Sequence, residues 1–257
     1  EQKMILAIDI GNTNIVLGCI DEEKTYFIER IATSNSKMEL EYAVDIKMVL
    51  DIHGIRPEII EGAIISSVVP RLTKIIREAA EKIIKKAPLI VGPGVKNGMN
   101  ILIENPGQMG SDLVADAVAA IAEYSVPLVI FDLGTATTVC VVDEKKNYIG
   151  GMIYPGVNTA LNALARSASQ LNDISLDEPK HLIGRSTAEC MKSGIIYSNA
   201  SAIDGIIERI QDEMGCHVTA VATGGLAGII APFCRKNIIL DENLLMKGLW
   251  IIYKKNR

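Results

Sequence analysis

The chain has 257 residues, which is enough for one large or two modest domains. Hydrophobic residues make up 49% of it and aromatic residues only 4%, so the sequence predicts a sizeable core built mainly from aliphatic side chains. The net charge is −5, with no basic arm and no interleaving of aromatic and basic residues, which argues against nucleic acid as a partner.

The first half of the chain is predicted to contain three antiparallel strands followed by alternating helices and strands. Short apolar runs predict the strands, and the apolar positions that follow Pro70 recur at helical spacing, with the proline at the helix start. The predicted strands are 5–10, 15–20, 25–31, 60–68 and 89–91. The predicted helices are 38–52, the segment from Pro70, and 112–123, the last of which follows a stretch rich in Gly, Asn and Pro.

The second half repeats this pattern. The predicted strands are 128–132, 137–143, 148–154, 218–222 and 237–241. The predicted helices are 157–170, 187–214, a helix opened by Thr223-Gly224-Gly225, and 244–254. Strand triplets followed by alternating helices and strands, found twice, predict an α/β protein with mixed sheets and helices packed on them. We place the two halves at 4–115 and 116–257.

The five cysteines are scattered, without a Cys-x-x-Cys pair, and only three histidines are present. A zinc site is therefore not expected, and the thiols are expected to be reduced. No apolar run has the form of a signal peptide or a membrane span, so we expect a cytoplasmic protein with no membrane partner.

One turn occurs in both halves: an apolar strand ends in Asp-x-Gly, Thr follows closely, and a second apolar strand begins. The two copies run from Asp9 to Asn14 and from Asp132 to Thr138. Glycine permits a tight turn whose backbone N–H groups bind an anion, and Asn and Thr add donors. Aspartate offers an oxygen ligand to Mg²⁺. The pair predicts binding of a phosphate chain with Mg²⁺; the alternative is two ordinary hairpin turns.

The common nucleotide-binding signatures are missing. No Gly-x-x-x-x-Gly-Lys-Ser/Thr is present, and the nearest segment, 184–187, lacks the lysine. No Gly-x-Gly-x-x-Gly follows a predicted strand either.

Two such turns and a late Thr-Gly-Gly are similar to the acetate and sugar kinase, heat-shock chaperone and actin superfamily. Within it, the ordered motifs resemble the type III pantothenate kinase family. The matching segments span nearly the whole chain; they are 9–14, 66–70 (Ser-Ser-Val-Val-Pro), 104–106 (Glu-Asn-Pro), 110–112 (Gly-Ser-Asp), 132–138, 150–156 (Gly-Gly-Met-Ile-Tyr-Pro-Gly) and 184–187 (Gly-Arg-Ser-Thr).

This resemblance implies a fold and an activity. The fold would be a pair of ribonuclease H-like, actin-like ATPase domains with a nucleotide cleft between the halves. The activity would be ATP-dependent phosphorylation of pantothenate to 4′-phosphopantothenate, the first step of coenzyme A biosynthesis, in a homodimer.

The resemblance also implies roles for residues at matching positions. Asp112 would be the catalytic base that accepts the proton of the pantothenate hydroxyl. Asp9 would lie near Mg²⁺, and Asp132 would bind the monovalent cation, K⁺ or NH₄⁺. The residues expected to contact ATP are Asp9, Ile10, Gly11, Asn12, Thr13, Asn14, Ile15, Val16 and Thr135. The residues expected to line the pantothenate site are Gly110, Ser111, Asp112 and Thr187.

Several of these residues also have a purely structural interpretation. Asp112 and Thr187 each suit the N-cap of a helix, and Asp132 suits a buried turn. The apolar residues of helix 187–214 fit either a core helix or a subunit interface.

The chain departs from the family pattern on the substrate side. The family usually has Gly-Ala-Asp-Arg where this chain has Gly-Ser-Asp followed by Leu113, and a carboxylate is best bound by the fork of an arginine. Ile103 stands where a tyrosine is common, and Asp116 where an asparagine is common. Either another cation binds the pantothenate carboxylate, with Arg166 and Arg185 as candidates, or the pocket takes another substrate.

Three other functions are therefore considered. The first is a kinase of the same fold that acts on a different small alcohol. The second is a non-catalytic nucleotide-binding regulator resembling the Bvg accessory factors. The third is an ATPase that drives conformational change, as in actin, for which the chain is short.

Overall fold

The computed structural model describes residues 4–167 and 174–257. They form two compact units. The first holds the residues up to Met99 together with Glu104–Ala119 and Asn243–Arg257, and the second holds Asn100–Ile103 and Ala120–Glu242. Among the described residues, no helix has both the length and the apolar character needed to cross a membrane.

The elements alternate along the chain much as the sequence predicts. The strands are β1 (Met4–Ile10), β2 (Asn14–Ile20), β3 (Thr25–Ala32), β4 (Ile60–Ser67), β5 (Leu89–Ile90), β6 (Asn100–Ile101), β7 (Leu128–Leu133), β8 (Ala136–Val142), β9 (Asn147–Pro155), β10 (Thr219–Thr223) and β11 (Ile239–Leu240). The α-helices are α1 (Glu39–Ile52), α2 (Pro70–Ile84), α3 (Ser111–Glu123), α4 (Val157–Ser167), α5 (Thr187–Met214), α6 (Ala227–Ile230) and α7 (Leu244–Lys255).

The predicted and observed ends of the helices and strands differ by a residue or two. The predicted end of the helix at 157–170 lies outside the described residues. The short strand β6 lies in the stretch rich in Gly, Asn and Pro, for which no strand is predicted. β6 is two residues long and pairs with β9, far along the chain, so no local pattern marks it.

The sheet of the first unit has the order β3-β2-β1-β4-β5. β1, β2 and β3 are antiparallel neighbours, whereas β4 runs parallel to β1 and β5 parallel to β4. One face of this sheet packs with α1 and α2 around an aliphatic core. Helix α7 packs against β1, β2 and β4, and its Tyr253 hydroxyl lies against Gly62 of β4. The central strand β1 is buried along its whole length except at Asp9.

Helix α1 is apolar on two sides. Tyr42, Ile46 and Leu50 are buried in the core. The opposite side exposes large apolar side chains at four-residue spacing, each 51–71% exposed: Leu40, Val44, Met48 and Ile52. This arrangement explains the mixed periodicity of 38–52, because a helix with apolar residues on both sides has no single apolar stripe.

The sheet of the second unit has the order β11-β10-β7-β8-β9-β6. β7, β8 and β9 are antiparallel neighbours, and β10 runs parallel to β7. The apolar side chains of α5 are buried with α4 and one face of this sheet; those buried are Ile195, Ile196, Ala200, Ile203, Ile207 and Ile210. The packing therefore supports the interpretation of α5 as a core helix over its interpretation as a subunit interface.

We predict that Gly248→Ala in α7 lowers the free energy of unfolding by about 2 kcal/mol or more. A Cβ atom at Gly248 would overlap the carbonyl group of Ala115 in α3 and lie 2.9 Å from its Cα atom. The backbone of Ala115 cannot move away from this Cβ atom as the end of a flexible side chain could. Chemical denaturation measures the effect.

Gly194→Ala in α5 is the matched control, because no atom lies within 4 Å of a Cβ atom at that position. This change is expected to raise the free energy of unfolding by about 0.5–1 kcal/mol, since alanine loses less backbone entropy in a helix. Equal stability of the two variants would contradict the close packing of α7.

Candidate functional site

The first predicted turn joins β1 to β2 and is held by β3. The Gly11 N–H donates to the Asn14 carbonyl at 3.0 Å. The Thr33 hydroxyl donates to the Gly11 carbonyl at 2.7 Å, and the Thr33 N–H donates to the Thr13 carbonyl at 3.0 Å. The backbone of the turn is therefore fixed before any ligand binds.

This turn presents polar groups at its tip and buries apolar groups at its base. Asn12, Thr13 and Asn14 are exposed, whereas Ile10 and Ile15 are buried as facing residues of β1 and β2. Three of the predicted nucleotide-contacting residues thus have accessible side chains, and the two isoleucines have only their backbone to offer a ligand.

Asp9 lies at the carboxyl end of β1, between two strands. It faces Val16 of β2 on one side and Ser66 of β4 on the other. Its half-buried position places a carboxylate beside the turn that carries the exposed Asn and Thr side chains.

Helix α3 begins at the same end of this sheet. The buried Ser111 hydroxyl accepts a hydrogen bond from the Ser67 N–H at 2.8 Å and donates to the Ser67 carbonyl at 3.2 Å. The Ser66 hydroxyl lies 2.9 Å from the Ser111 hydroxyl. Ser66 also faces Asp9, so the start of α3 is tied to the strand position next to Asp9.

Asp112 follows directly, in the first turn of α3. Burial raises the pKa of its carboxyl, opposed by its hydrogen bond from the Leu113 N–H, which is 2.9 Å long. A Cβ atom at Gly110 would overlap Asp112 Oδ1, so glycine is required there for this side-chain position. The helix begins at Ser111, so Asp112 lies inside it and does not occupy the N-cap.

The second predicted turn joins β7 to β8 and is one residue shorter than the first. The Gly134 N–H donates to the Ala136 carbonyl at 3.1 Å. Thr135 is exposed, and Ala136 stands where the first turn has Thr13. The Thr135 carbonyl accepts hydrogen bonds from the Gly156 N–H and the Thr159 hydroxyl, at 3.2 and 2.6 Å, and this turn is thereby tied to the start of α4.

Asp132 is covered by Gly224, a residue for which the sequence predicts only the start of a helix. Asp132 faces Thr223 of β10 and Thr138 of β8. Gly224 follows with a φ of +90°, and a Cβ atom there would overlap Asp132 Oδ1. The Thr-Gly-Gly motif marks Gly224 in the sequence, but only the pairing of β7 with β10 shows that this glycine lies beside Asp132.

Thr187 is the first residue of α5 and is exposed. The capping residue is Ser186, whose hydroxyl accepts a hydrogen bond from the Glu189 N–H at 3.3 Å. The capping alternative for Thr187 is therefore wrong, and its side chain is accessible. Arg166 and Arg185 are exposed as well.

The family model and the curated relatives name the same family. A model of the family described as type III pantothenate kinase matches residues 5–209. A type III pantothenate kinase from Halalkalibacterium halodurans is 42% identical over 253 residues, which cover 98% of this chain and 100% of that protein.

Solved structures show the same fold. A conserved putative Baf family transcriptional activator from Campylobacter jejuni has a TM-score of 0.57 at 19% identity, with 98% of each chain covered. A ROK family glucokinase from Streptomyces griseus, in complex with glucose and AMPPNP, has a TM-score of 0.52 at 12% identity, with 99% of each chain covered. At these identities the likeness concerns the fold alone, and it confirms the predicted actin-like class of duplicated α/β sheets.

Proposed function

We infer that this chain, which belongs to the type III pantothenate kinase family, transfers a phosphoryl group from ATP to pantothenate in the first step of coenzyme A biosynthesis. One observation carries the inference at the level of residues. Asp9 and its turn lie at one end of a sheet, and the hydrogen-bonded hydroxyls of Ser66 and Ser111 place Asp112 at that same end. Full-length likeness to named kinases does not favour the three alternative functions.

We propose that the first turn binds the phosphates of ATP. Asn12, Thr13 and Asn14 expose amide and hydroxyl donors, and the hydrogen bonds from Thr33 hold the backbone in place. A preformed turn of this kind binds an anion without a large ordering cost. Thr135 of the second turn, also exposed, is proposed as a further ATP contact.

Asp9 is proposed to hold Mg²⁺. Mg²⁺ uses one or two carboxylates, several waters and the substrate phosphates. A single carboxylate beside the turn fits this preference, and the described residues contain no cluster of three or more metal-binding side chains. When bound, the ion neutralises charge on the transferring phosphoryl group.

Asp132 is proposed to bind the monovalent cation, K⁺ or NH₄⁺. Its carboxylate supplies oxygen, the type of ligand that hard cations take. The backbone of Gly224 packs directly against this carboxylate, because a Cβ atom there would overlap Asp132 Oδ1, so the glycine allows the carboxylate to keep its position.

Asp112 is proposed as the catalytic base. Phosphoryl transfer depends mainly on positioning and charge neutralisation, and a carboxylate that accepts the proton of the attacking hydroxyl completes the arrangement. The raised pKa of Asp112 favours this role, since a stronger base accepts a proton more readily near neutral pH.

The backbone of Gly110 and Ser111 is proposed to contact pantothenate, and Thr187 is proposed separately as a pantothenate contact. Leu113 offers no donor for the pantothenate carboxylate, so we propose that Arg166 or Arg185 binds it. Both arginines are exposed.

We further propose that the chain forms a homodimer, has no nucleic-acid partner, and arose by duplication into halves at 4–115 and 116–257. The second unit exposes large apolar side chains, among them Ile153 at 74% and Ile183 at 79%. Exposed apolar side chains favour a protein interface where they form a contiguous patch.

We predict that ADP release from ATP, with Mg²⁺ and K⁺ present, rises when pantothenate is added. The physical reason is that the turn beside Asp9 is proposed to bind the phosphates of ATP, and Asp112 to accept the proton of the pantothenate hydroxyl. Arg166→Gln and Arg185→Gln serve as a matched pair, and the variant that lacks the carboxylate ligand is expected to raise KM for pantothenate about ten- to a hundred-fold. No stimulation by pantothenate, with ATP binding confirmed by titration, would refute the inferred function.

A further inference from the structure

The hydroxyl group of Ser111 has its hydrogen-bonding capacity fully used within the protein. A serine hydroxyl has one hydrogen to donate and two lone pairs to accept with. Ser111 accepts from the Ser67 N–H at 2.8 Å, donates to the Ser67 carbonyl at 3.2 Å, and lies 2.9 Å from the Ser66 hydroxyl. Because the one hydrogen of Ser111 goes to the carbonyl, Ser66 is then the donor of this third hydrogen bond. No capacity is left for a substrate, and Ser111 is only 8% exposed.

These hydrogen bonds join residues that are distant in sequence but lie next to Asp9 and Asp112, the residues proposed to act in the reaction. Ser66 is fully buried and faces Asp9 across the pairing of β4 with β1. Ser111 is the first residue of α3 and directly precedes Asp112. The first turn of a helix has backbone groups without helical partners and is the part that frays most readily.

We propose that Ser111 is a positioning residue: its hydroxyl fastens the first turn of α3 to the end of β4 and fixes the Asp112 carboxylate relative to Asp9 and its turn. This proposal rests on the inferred pantothenate kinase activity. Ser66, whose hydroxyl lies 2.9 Å from the Ser111 hydroxyl, supports the same attachment. A misplacement of about 1 Å at a reacting group costs roughly a hundredfold in rate. The hydrogen bonds of Ser111 to the end of β4 are therefore expected to affect turnover more than substrate binding.

The test uses Ser111→Ala, Ser66→Ala and the double variant in the full-length protein. We expect Ser111→Ala, which removes all three hydrogen bonds, to lower kcat about tenfold, with KM for pantothenate and for ATP changed by less than about twofold. Ser66→Ala leaves the two hydrogen bonds between Ser111 and Ser67 and is expected to lower kcat less. The double variant is expected to lose no more than Ser111→Ala alone, because that variant already lacks the hydrogen bond that Ser66→Ala removes.

Thr73→Val is the control for loss of hydrogen bonds near the same strand end. Its hydroxyl lies 2.8 Å from the Ser67 hydroxyl and 3.2 Å from the Val69 carbonyl and has one hydrogen to donate to them, at the end of β4 and the start of α2. We expect this variant to lower the melting temperature as Ser111→Ala does and to keep the wild-type kcat.

Three results would overturn the proposal. They are a wild-type kcat in Ser111→Ala, a raised KM for pantothenate at unchanged kcat, which is the signature of direct substrate binding, or an equal loss of kcat in Thr73→Val. The inferred function fails separately, if the wild-type protein itself shows no pantothenate-dependent turnover.

Discussion

Asp112→Asn is expected to lower the rate of pantothenate phosphorylation steeply and at the same time to raise the melting temperature at neutral pH. An amide cannot accept the proton of the attacking hydroxyl, and loss of a general base lowers kcat by a factor of about 10² to 10⁴. Burial raises the pKa of Asp112, so its ionised form costs stability that the neutral amide does not cost.

The pH dependence of this stability difference follows from the direction of the pKa shift. With a pKa raised in the folded state, Asp112 binds its proton more tightly folded than unfolded. The cost of its charge is therefore present above the folded pKa and disappears as the pH falls below the unfolded value of about 3.9. The melting temperatures of the variant and the wild-type protein are expected to converge as the pH is lowered.

Activity, ATP binding and melting at neutral and acidic pH are the measurements. Asp51→Asn is the matched control, because Asp51 is an exposed carboxylate paired with Lys47 on α1 and exposed pairs contribute little. It is expected to keep its activity and to melt within a degree or two of the wild-type protein. Retained kinase activity in Asp112→Asn would rule out the proposed base.

Gly224→Ala is expected to damage both stability and turnover. Its φ of +90° disfavours any residue with a side chain, and its Cβ atom would overlap Asp132 Oδ1 and lie 2.7 Å from the Leu133 nitrogen. We expect a loss of about 1–3 kcal/mol in unfolding free energy. Displacement of Asp132 is also expected to weaken the activation of ADP release by K⁺, which a titration with KCl measures.

Gly225→Ala separates these effects from a general intolerance of this loop. A Cβ atom at Gly225 meets nothing within 4 Å, so this neighbouring variant is expected to melt and to respond to K⁺ as the wild-type protein does. If both variants behave alike, Gly224 has no special relation to Asp132.

Local patterns predicted most of the secondary structure. The strand from Met4 to Ile10 is a short apolar run, and a Gly-Asn-Thr-Asn turn follows it, so sequence alone locates both. The same holds for α2, where Pro70 opens the helix and apolar residues recur at helical spacing. These signals lie within a few residues of what they determine.

The arrangement of the site depends on pairings that no local pattern contains. Ser66 and Ser111 are 45 residues apart, and Gly224 is brought to Asp132 only because β10 pairs with β7. Asp112 considered alone suits a helix cap as well as a catalytic base, and only the ordered set of motifs favoured the base. The sequence thus named candidate residues more readily than the contacts that each one makes.

The position of α7 has a consequence for how the protein is made. This helix is the last element of the chain, yet it packs on the sheet formed by β1, β2 and β4. Because a ribosome releases the amino-terminal strands first, apolar surface of that sheet stays uncovered until α7 has emerged. The first unit is therefore completed only after the whole second unit has emerged, and a nascent chain that stalls before Leu244 carries an exposed apolar surface.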